Sequence, residues 1–369
     1  MKNQTSNSRF LESSSSAYLD TLRICAALSV LIYHVYFHWL PADKITIAFD
    51  RISHTAVIVF FVLSGYVIAY STSKKNNSAN DYFIARFSKL YSVVLPALIL
   101  TGIAEYFIKV FSPELMLNYG RNQSVSHYII STLFCNEIWF YSAAPQLNMP
   151  LWSLSFEFWY YVIFGFFHYR KFQKKYPLLA IAACLVAGPK ILLMMPIWLF
   201  GYFAYKIPYR SIPNRFVNWY VIMISISFTF VLVYFVKPLS DLGTYPLVYA
   251  SQFLTDWMIG AAIAIGLYFL PTTDARAKMS NTALIIRKIA DLTFPLYVLH
   301  LPLIVLWDTF LKLDTDISQN IWKPIIGVLI LSGLIGVLLE KCKYLYIGFF
   351  SRLLKSINMD QREKQVSNP

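Results

Sequence analysis

Arg23 and His34 stand eleven residues apart in an otherwise apolar stretch that begins at Tyr18. Eleven helical steps fall within about 20° of three whole turns, so a helix here places both side chains on one face, roughly 16 Å apart along its axis. An imidazole titrates near neutral pH and can act as a general base, and a guanidinium grips phosphates and carboxylates through paired hydrogen bonds. Ionisable groups inside a membrane helix are costly and mark a candidate functional site. Asp20, three residues before Arg23, can pair with it. The bland readings are an interfacial, snorkelling Arg23 and a hydrogen-bonded structural His34, with His38 at the interface one turn further on.

Four further elements carry polar groups. Asn148-Met-Pro-Leu-Trp152-Ser-Leu-Ser155-Phe-Glu157 begins a span at Pro150, a residue suited to a helix start, and places Glu157 about two turns in, at a depth similar to His34. A carboxylate there is protonated, paired with a cation, or orienting a histidine; the structural alternative is an interhelical lock. Ser64-Gly65 within Phe60–Tyr66 suits close helix packing and an interhelical hydrogen bond. Arg86 and Lys89 share a face at the start of another span, where they can meet a phosphorylated cofactor or lipid headgroups. His300 should lie near mid-depth, between Pro295 and Pro302, whose rings distort a helix and free backbone carbonyls.

These groups need a scaffold, and the composition supplies one. Of 369 residues, 57% are hydrophobic and 14% charged, and the mean hydropathy is +0.52; soluble domains carry about 25% charged residues. The pattern predicts an all-α, polytopic membrane helix bundle with about ten spans, at 17–38, 55–73, 84–110, 150–168, 177–188, 190–205, 216–236, 247–270, 291–311 and 324–346. Gly188-Pro189 makes the fifth and sixth a bent pair. With the N-terminus inside, the inner segments hold 23 Lys and Arg and the outer segments 8, so both termini are expected to be cytoplasmic. The net charge of +13 then reads as topology signals facing anionic headgroups, and no nucleic-acid partner is expected.

Residues 1–16 form a polar cytoplasmic segment without the apolar core of a signal peptide, 17–346 one transmembrane domain, and 347–369 a basic, polar cytoplasmic tail, disordered after Lys355. The outer connection 111–149 is polar enough to be a lid or recognition surface. Cys25, Cys135, Cys184 and Cys342 show no paired spacing, so neither a disulfide framework nor a metal site is expected, and Cys25 and Cys184 read as small core residues. No internal repeat stands out. Oligomeric state is not legible, because lipid-facing and partner-facing apolar surfaces share one composition.

In order along 17–311, these elements resemble the acyltransferase 3 family of membrane O-acyltransferases. Leu19-Asp20-Thr21-Leu22-Arg23 followed by His34 is similar to its Arg-x10-His element, with Thr21 and Ile24 where the family usually has glycines. Phe60–Tyr66 matches a second motif. Arg86 before Leu90-Tyr91 and Pro96 resembles its Arg-Ile-x-Pro stretch with a later proline. Leu151–Glu157 matches a fourth, with Phe158 and Trp159 where many members carry a second Glu and a Gln. Leu296-Tyr297-Val298-Leu299-His300-Leu301-Pro302 is similar to its Leu-Tyr-x-x-His-x-Pro. No soluble esterase-like domain is expected to follow.

The resemblance implies a multi-pass enzyme of the bacterial cytoplasmic (inner) membrane. It would move an acyl group, usually acetyl, from cytoplasmic acyl-CoA to a sugar hydroxyl of a surface or lipid-linked glycan such as an exopolysaccharide, without a metal. His34 is then the general base, and Glu157 orients it or holds the sugar. Arg23, Arg86 and Lys89 hold the CoA phosphates. Ser64, Trp152, Ser155, Tyr297 and His300 line the channel or stabilise the oxyanion. An acyl-His34 intermediate is not required. The alternative class is a glycan or lipid-linked-sugar transporter that uses the same Arg, Glu and His groups as a proton relay; matching broken helices in inverted repeats would favour it.

Overall fold

The computed structural model describes residues 10–40, 44–74, 78–117, 125–208, 215–273, 279–311 and 320–366. Lys2, Arg9, Lys75, Arg121, Arg210, Arg276, Lys278 and Lys312 of the charge count lie outside the described residues, as does 118–124 of the outer connection. The chain is built from helices: α1 (Ser13–Trp39), α2 (Lys44–Lys74), α3 (Ala79–Phe111), α4 (Pro113–Leu117), α5 (Val125–Thr132), α6 (Trp152–His168), α7 (Tyr176–Lys206), α8 (Arg215–Phe235), α9 (Phe253–Tyr268), α10 (Asn281–Asp291), α11 (Thr293–Leu311) and α12 (Trp322–Val366). Among the described residues, seven helical stretches are long and apolar enough to cross a membrane: 13–39, 49–74, 79–111, 176–206, 216–235, 281–311 and 322–356. A shorter apolar helix is α9, and α6 has 17 residues.

Local chemistry sets several boundaries. Ser78 and Asp81 form a reciprocal capping box at the start of α3, and the Ser280 side chain caps α10. α7 is two helical arms joined at Gly188, whose φ of +78° is left-handed. Tyr176 packs on Phe166, with ring centroids 5.5 Å apart, and Tyr202 packs on Phe164 at 5.1 Å. Both arms of α7 thus return to the same end of α6, while Gly188 lies against Trp139 at the other end. The helix doubles back, as the bent pair predicted.

α2 is the central helix, packed on α1, α7 and α9. A Cβ on Gly65 would stand 1.9 Å from the Trp198 carbonyl oxygen, and one on Gly201 1.8 Å from that of Val62, so these two backbones touch. The largest buried side chains, among them Trp198, Tyr160, Tyr161 and Phe156, surround this contact. A two-stranded ribbon, β1 (Phe10–Leu11) against β2 (Thr272–Thr273), ties the chain before α1 to the end of α9.

Two expectations need correction. α12 continues as helix to Val366, so the segment after Lys355 is helical there. Cys25 is exposed and lines a groove between α1 and α8 rather than sitting in the core. His38 is bonded through Nε2 to Asp308 at 3.0 Å, a part-buried pair between α1 and α11. All four cysteines are free.

Candidate active site

α1 presents Arg23 and His34 along one side, as their spacing requires. α11 brings His300 to His34, with His300 Nε2 3.3 Å from His34 Nδ1 and ring centroids 4.7 Å apart. His34 Nδ1 lies 2.8 Å from the Val30 carbonyl oxygen, and His300 Nδ1 lies 2.6 Å from that of Tyr297. A carbonyl only accepts, so in the neutral rings each Nδ1 carries the proton. His300 Nε2 is then the acceptor facing His34 Nδ1–H, and His34 Nε2 is the nitrogen with a lone pair to give. That is the tautomer a base needs.

The backbone around His300 is held from below. Pro302 has no N–H, so the carbonyl four residues earlier, that of Val298, loses its helical donor. Asn148 replaces it: its Nδ2 donates to the Val298 oxygen and to Thr101 Oγ1, both at 3.0 Å. Asn148 is fully buried and lies in a 3₁₀ turn, Gln146–Leu151, with φ −143°. Tyr297 Oη lies 2.8 Å from Ser153 Oγ and donates to the Pro150 oxygen at 3.1 Å. The freed carbonyl expected from the proline is therefore the point where this turn clamps α11. Asn148→Ala should cost about 1–3 kcal/mol by orphaning that carbonyl; thermal unfolding of the purified variant measures it, and an unchanged midpoint refutes the clamp.

Glu157 does not meet His34. Its Oε1 accepts from Ser64 Oγ at 2.9 Å and from the Tyr161 hydroxyl, and Trp198 Nε1 donates to Ser64 at 3.2 Å. The reason is depth. The segment before α6 already lies inside the bundle, with Ser153 level with Tyr297. Glu157 is one turn beyond Ser153 in one direction and His300 nearly one turn beyond Tyr297 in the other, which separates them by roughly 10 Å along the axis. The expected orienting carboxylate is replaced by a second imidazole.

Glu157 instead joins the cations. One cavity is lined by Arg23, Ser64, Arg86, Lys89, Glu157 and Tyr297, contributed by α1, α2, α3, α6 and α11. Arg86 lies between the Tyr82 and Tyr161 rings, 5.9 and 5.8 Å from their centroids, and its Nε is buried without a partner. The Tyr297 ring, 5.9 Å from that of His300, joins this cavity to the histidine pair. Each of the five sequence motifs thus contributes a residue to this cavity.

Two predicted channel residues fall elsewhere. Ser155 donates to the Phe134 carbonyl at 2.6 Å, where Trp159 Nε1 also donates, and so anchors the segment after α5. Trp152 stacks face to face on Tyr249, with centroids 4.5 Å apart, and lies parallel to His54 at 6.3 Å. His54 is itself bonded to the buried Asp256 at 3.0 Å. The sequence reading missed this pair, and also Tyr161, which its i+4 spacing from Glu157 could have shown. Lys190, one of the eight cations assigned to the outer side, forms a fully buried ion pair with Glu137.

The acyltransferase 3 family model, described as an acyltransferase domain, matches residues 16–339, which span all of these elements. The chain belongs to the acyltransferase 3 family. Among curated proteins it is 29% identical over 147 residues to an O-acetyl transferase of Shigella phage Sf6, which is 40% of this chain and 44% of the relative. It is 30% identical over 158 residues to the peptidoglycan O-acetyltransferase OatA of Listeria monocytogenes, 40% of this chain and 23% of the relative. A putative O-acetyltransferase of Staphylococcus aureus is 29% identical over 161 residues, again 40% and 23%. The chain thus spans less than half the length of these curated relatives. No solved structure matches this acyltransferase 3 chain. Among the described residues, no group of His, Cys, Asp or Glu is arranged to hold a metal ion.

Proposed function

We propose that this chain is a membrane O-acyltransferase that takes an acyl group, in the first instance acetyl, from cytoplasmic acyl-CoA and delivers it to a sugar hydroxyl of a surface or lipid-linked glycan. One observation carries the reading. Three cations, Arg23, Arg86 and Lys89, line a cavity with Glu157, and Tyr297 in its wall packs beside His300 of the His34–His300 pair. An elongated donor that is anionic at one end and reactive at the other fits this order. Arg23 and His34 are roughly 16 Å apart, a span a pantetheine arm can bridge.

In the reaction, His34 Nε2 takes the proton of the acceptor hydroxyl, and the oxygen attacks the thioester carbonyl. The carbon–sulfur bond breaks, the CoA thiolate takes up that proton from His34, and the ester leaves with the glycan. His300 Nε2 accepts from His34 Nδ1–H, so it stabilises the imidazolium that forms. Glu157 holds Ser64 and Tyr161 in place beside the donor rather than acting on His34. Ten crossings with both ends in the cytoplasm of a bacterial cell remain our reading of the topology. It is supported by the reversal of α7 at Gly188 and by the positive-inside bias.

Isolated membranes given acetyl-CoA and the cell's own glycan should release free thiol and gain O-acetyl groups on the glycan. A deletion strain whose surface glycan keeps every O-acyl group would refute the function. Arg86→Ala should raise the acyl-CoA concentration needed for half-maximal rate about tenfold, the worth of one charge-assisted hydrogen bond to the donor. An unchanged donor dependence removes Arg86 from the donor site.

A further inference from the structure

A second cavity opens at the end of the bundle where α1 begins. It encloses about 470 Å³, against about 80 Å³ for the cavity around Glu157. Arg23, Leu63 and Val67 line both, so the two spaces meet at Arg23. The smaller one has room for a narrow chain, whereas the larger lies within the range of pockets that seat whole small molecules, about 300–1,000 Å³. Its walls include Phe10 and Leu11 of β1, Tyr70 of α2 and Arg287 of α10.

We propose that this vestibule binds the nucleotide half of the acyl donor, an adenosine carrying a 3′-phosphate and a 5′-diphosphate, with Arg287 and Arg23 on the phosphates. The proposal rests on the acyl-CoA reading above. Arg23 is held by Asp20 at 3.6 Å, which aims it at the neck between the cavities. Arg287 is exposed and makes no ion pair with a described residue; its Nη1 has only the weak acceptor Met279 Sδ, at 3.6 Å. A guanidinium so placed keeps its paired donors for an incoming phosphate.

The apolar side is built as firmly. Lys74 Nζ lies 3.1 Å from the Phe10 ring centroid and 5.7 Å from that of Tyr70, which ties β1 to the end of α2. Phe10 and Leu11 pair with Thr273 and Thr272, and Ser15 Oγ donates to the Pro271 oxygen at 2.7 Å. The ribbon therefore gives a flat base a fixed wall. Glu12, Asp20 and Asp291 also face the space. The field is mixed, and an anion must be held by direct contact with the guanidinium groups rather than by net charge.

This mixture gives changes of opposite sign. The full chain in lipid nanodiscs is titrated with CoA and with adenosine 3′,5′-bisphosphate, a fragment without the thiol arm. Wild type should bind both. Arg287→Ala should weaken both about tenfold, Arg287→Lys should recover part of the loss, and Asp291→Asn should tighten both. Leu11→Trp, which fills the space, should abolish binding of the fragment. Both side chains at 287 and 291 are exposed, so these variants keep the fold. If wild type binds CoA and the Arg287 and Leu11 variants bind it equally well, the vestibule assignment is overturned while the donor reading stands. If wild type binds neither probe, both fall.

Discussion

His34→Ala should lower acyl transfer by about 10²–10⁴-fold, the usual worth of a positioned general base, with no change in the amount of folded protein. The expectation follows from the tautomer. With the Nδ1 proton directed to the Val30 carbonyl and to His300 Nε2, the second ring nitrogen of His34 is left basic. His300→Asn should cost less, because it removes the group that stabilises the charged ring without removing the base. Single-turnover rates with saturating acetyl-CoA measure both. Acetylation of the surface glycan that survives in His34→Ala at the wild-type level would eliminate the base assignment. Equal losses in the two variants would instead point to a mechanism that needs both imidazoles at the reacting atoms.

The largest effect on stability is expected from Lys190→Ala, about 3–5 kcal/mol, because it leaves a carboxylate buried without its cation. Lys190 and Glu137 are both 0% exposed. Lys190 Nζ also donates to the Tyr141 carbonyl at 2.7 Å and to Ser142 Oγ at 2.8 Å, and Ser142 Oγ donates to Glu137 at 2.6 Å. The group sits beside the Gly188 reversal, where Trp139 N–H donates to the Ala187 oxygen at 3.0 Å. It fastens the segment after α5 to the turn of α7. Replacing both partners together, Lys190→Met with Glu137→Leu, should cost far less than the single change. Thermal unfolding in detergent compares the two. A single variant as stable as wild type would show that the pair does not hold this turn.

Sequence spacing fixed the contents of each helix, because hydrophobic runs and capping residues act along one segment. Arg23 and His34 lie on one side of α1, residues of the motifs on α2, α3, α6 and α11 line a common cavity, and the reversal at Gly188 falls where a glycine and a proline adjoin. The five motifs also carried the family assignment. What spacing did not determine is which helix each polar group meets. Spacing alone puts Glu157 level with His34. The buried turn before α6, where Asn148 answers the carbonyl that Pro302 frees, instead sets Glu157 beside Ser64 and Tyr161. His34 and His300 are 266 residues apart, Lys190 and Glu137 53, and His54 and Asp256 202. Such pairs depend on the rotation and tilt of whole helices, which are set by the packing of many side chains at once, with Gly65 and Gly201 bringing α2 against α7. Residue order determines the spacing of groups along one helix, and only the assembled bundle decides their depth and their neighbours.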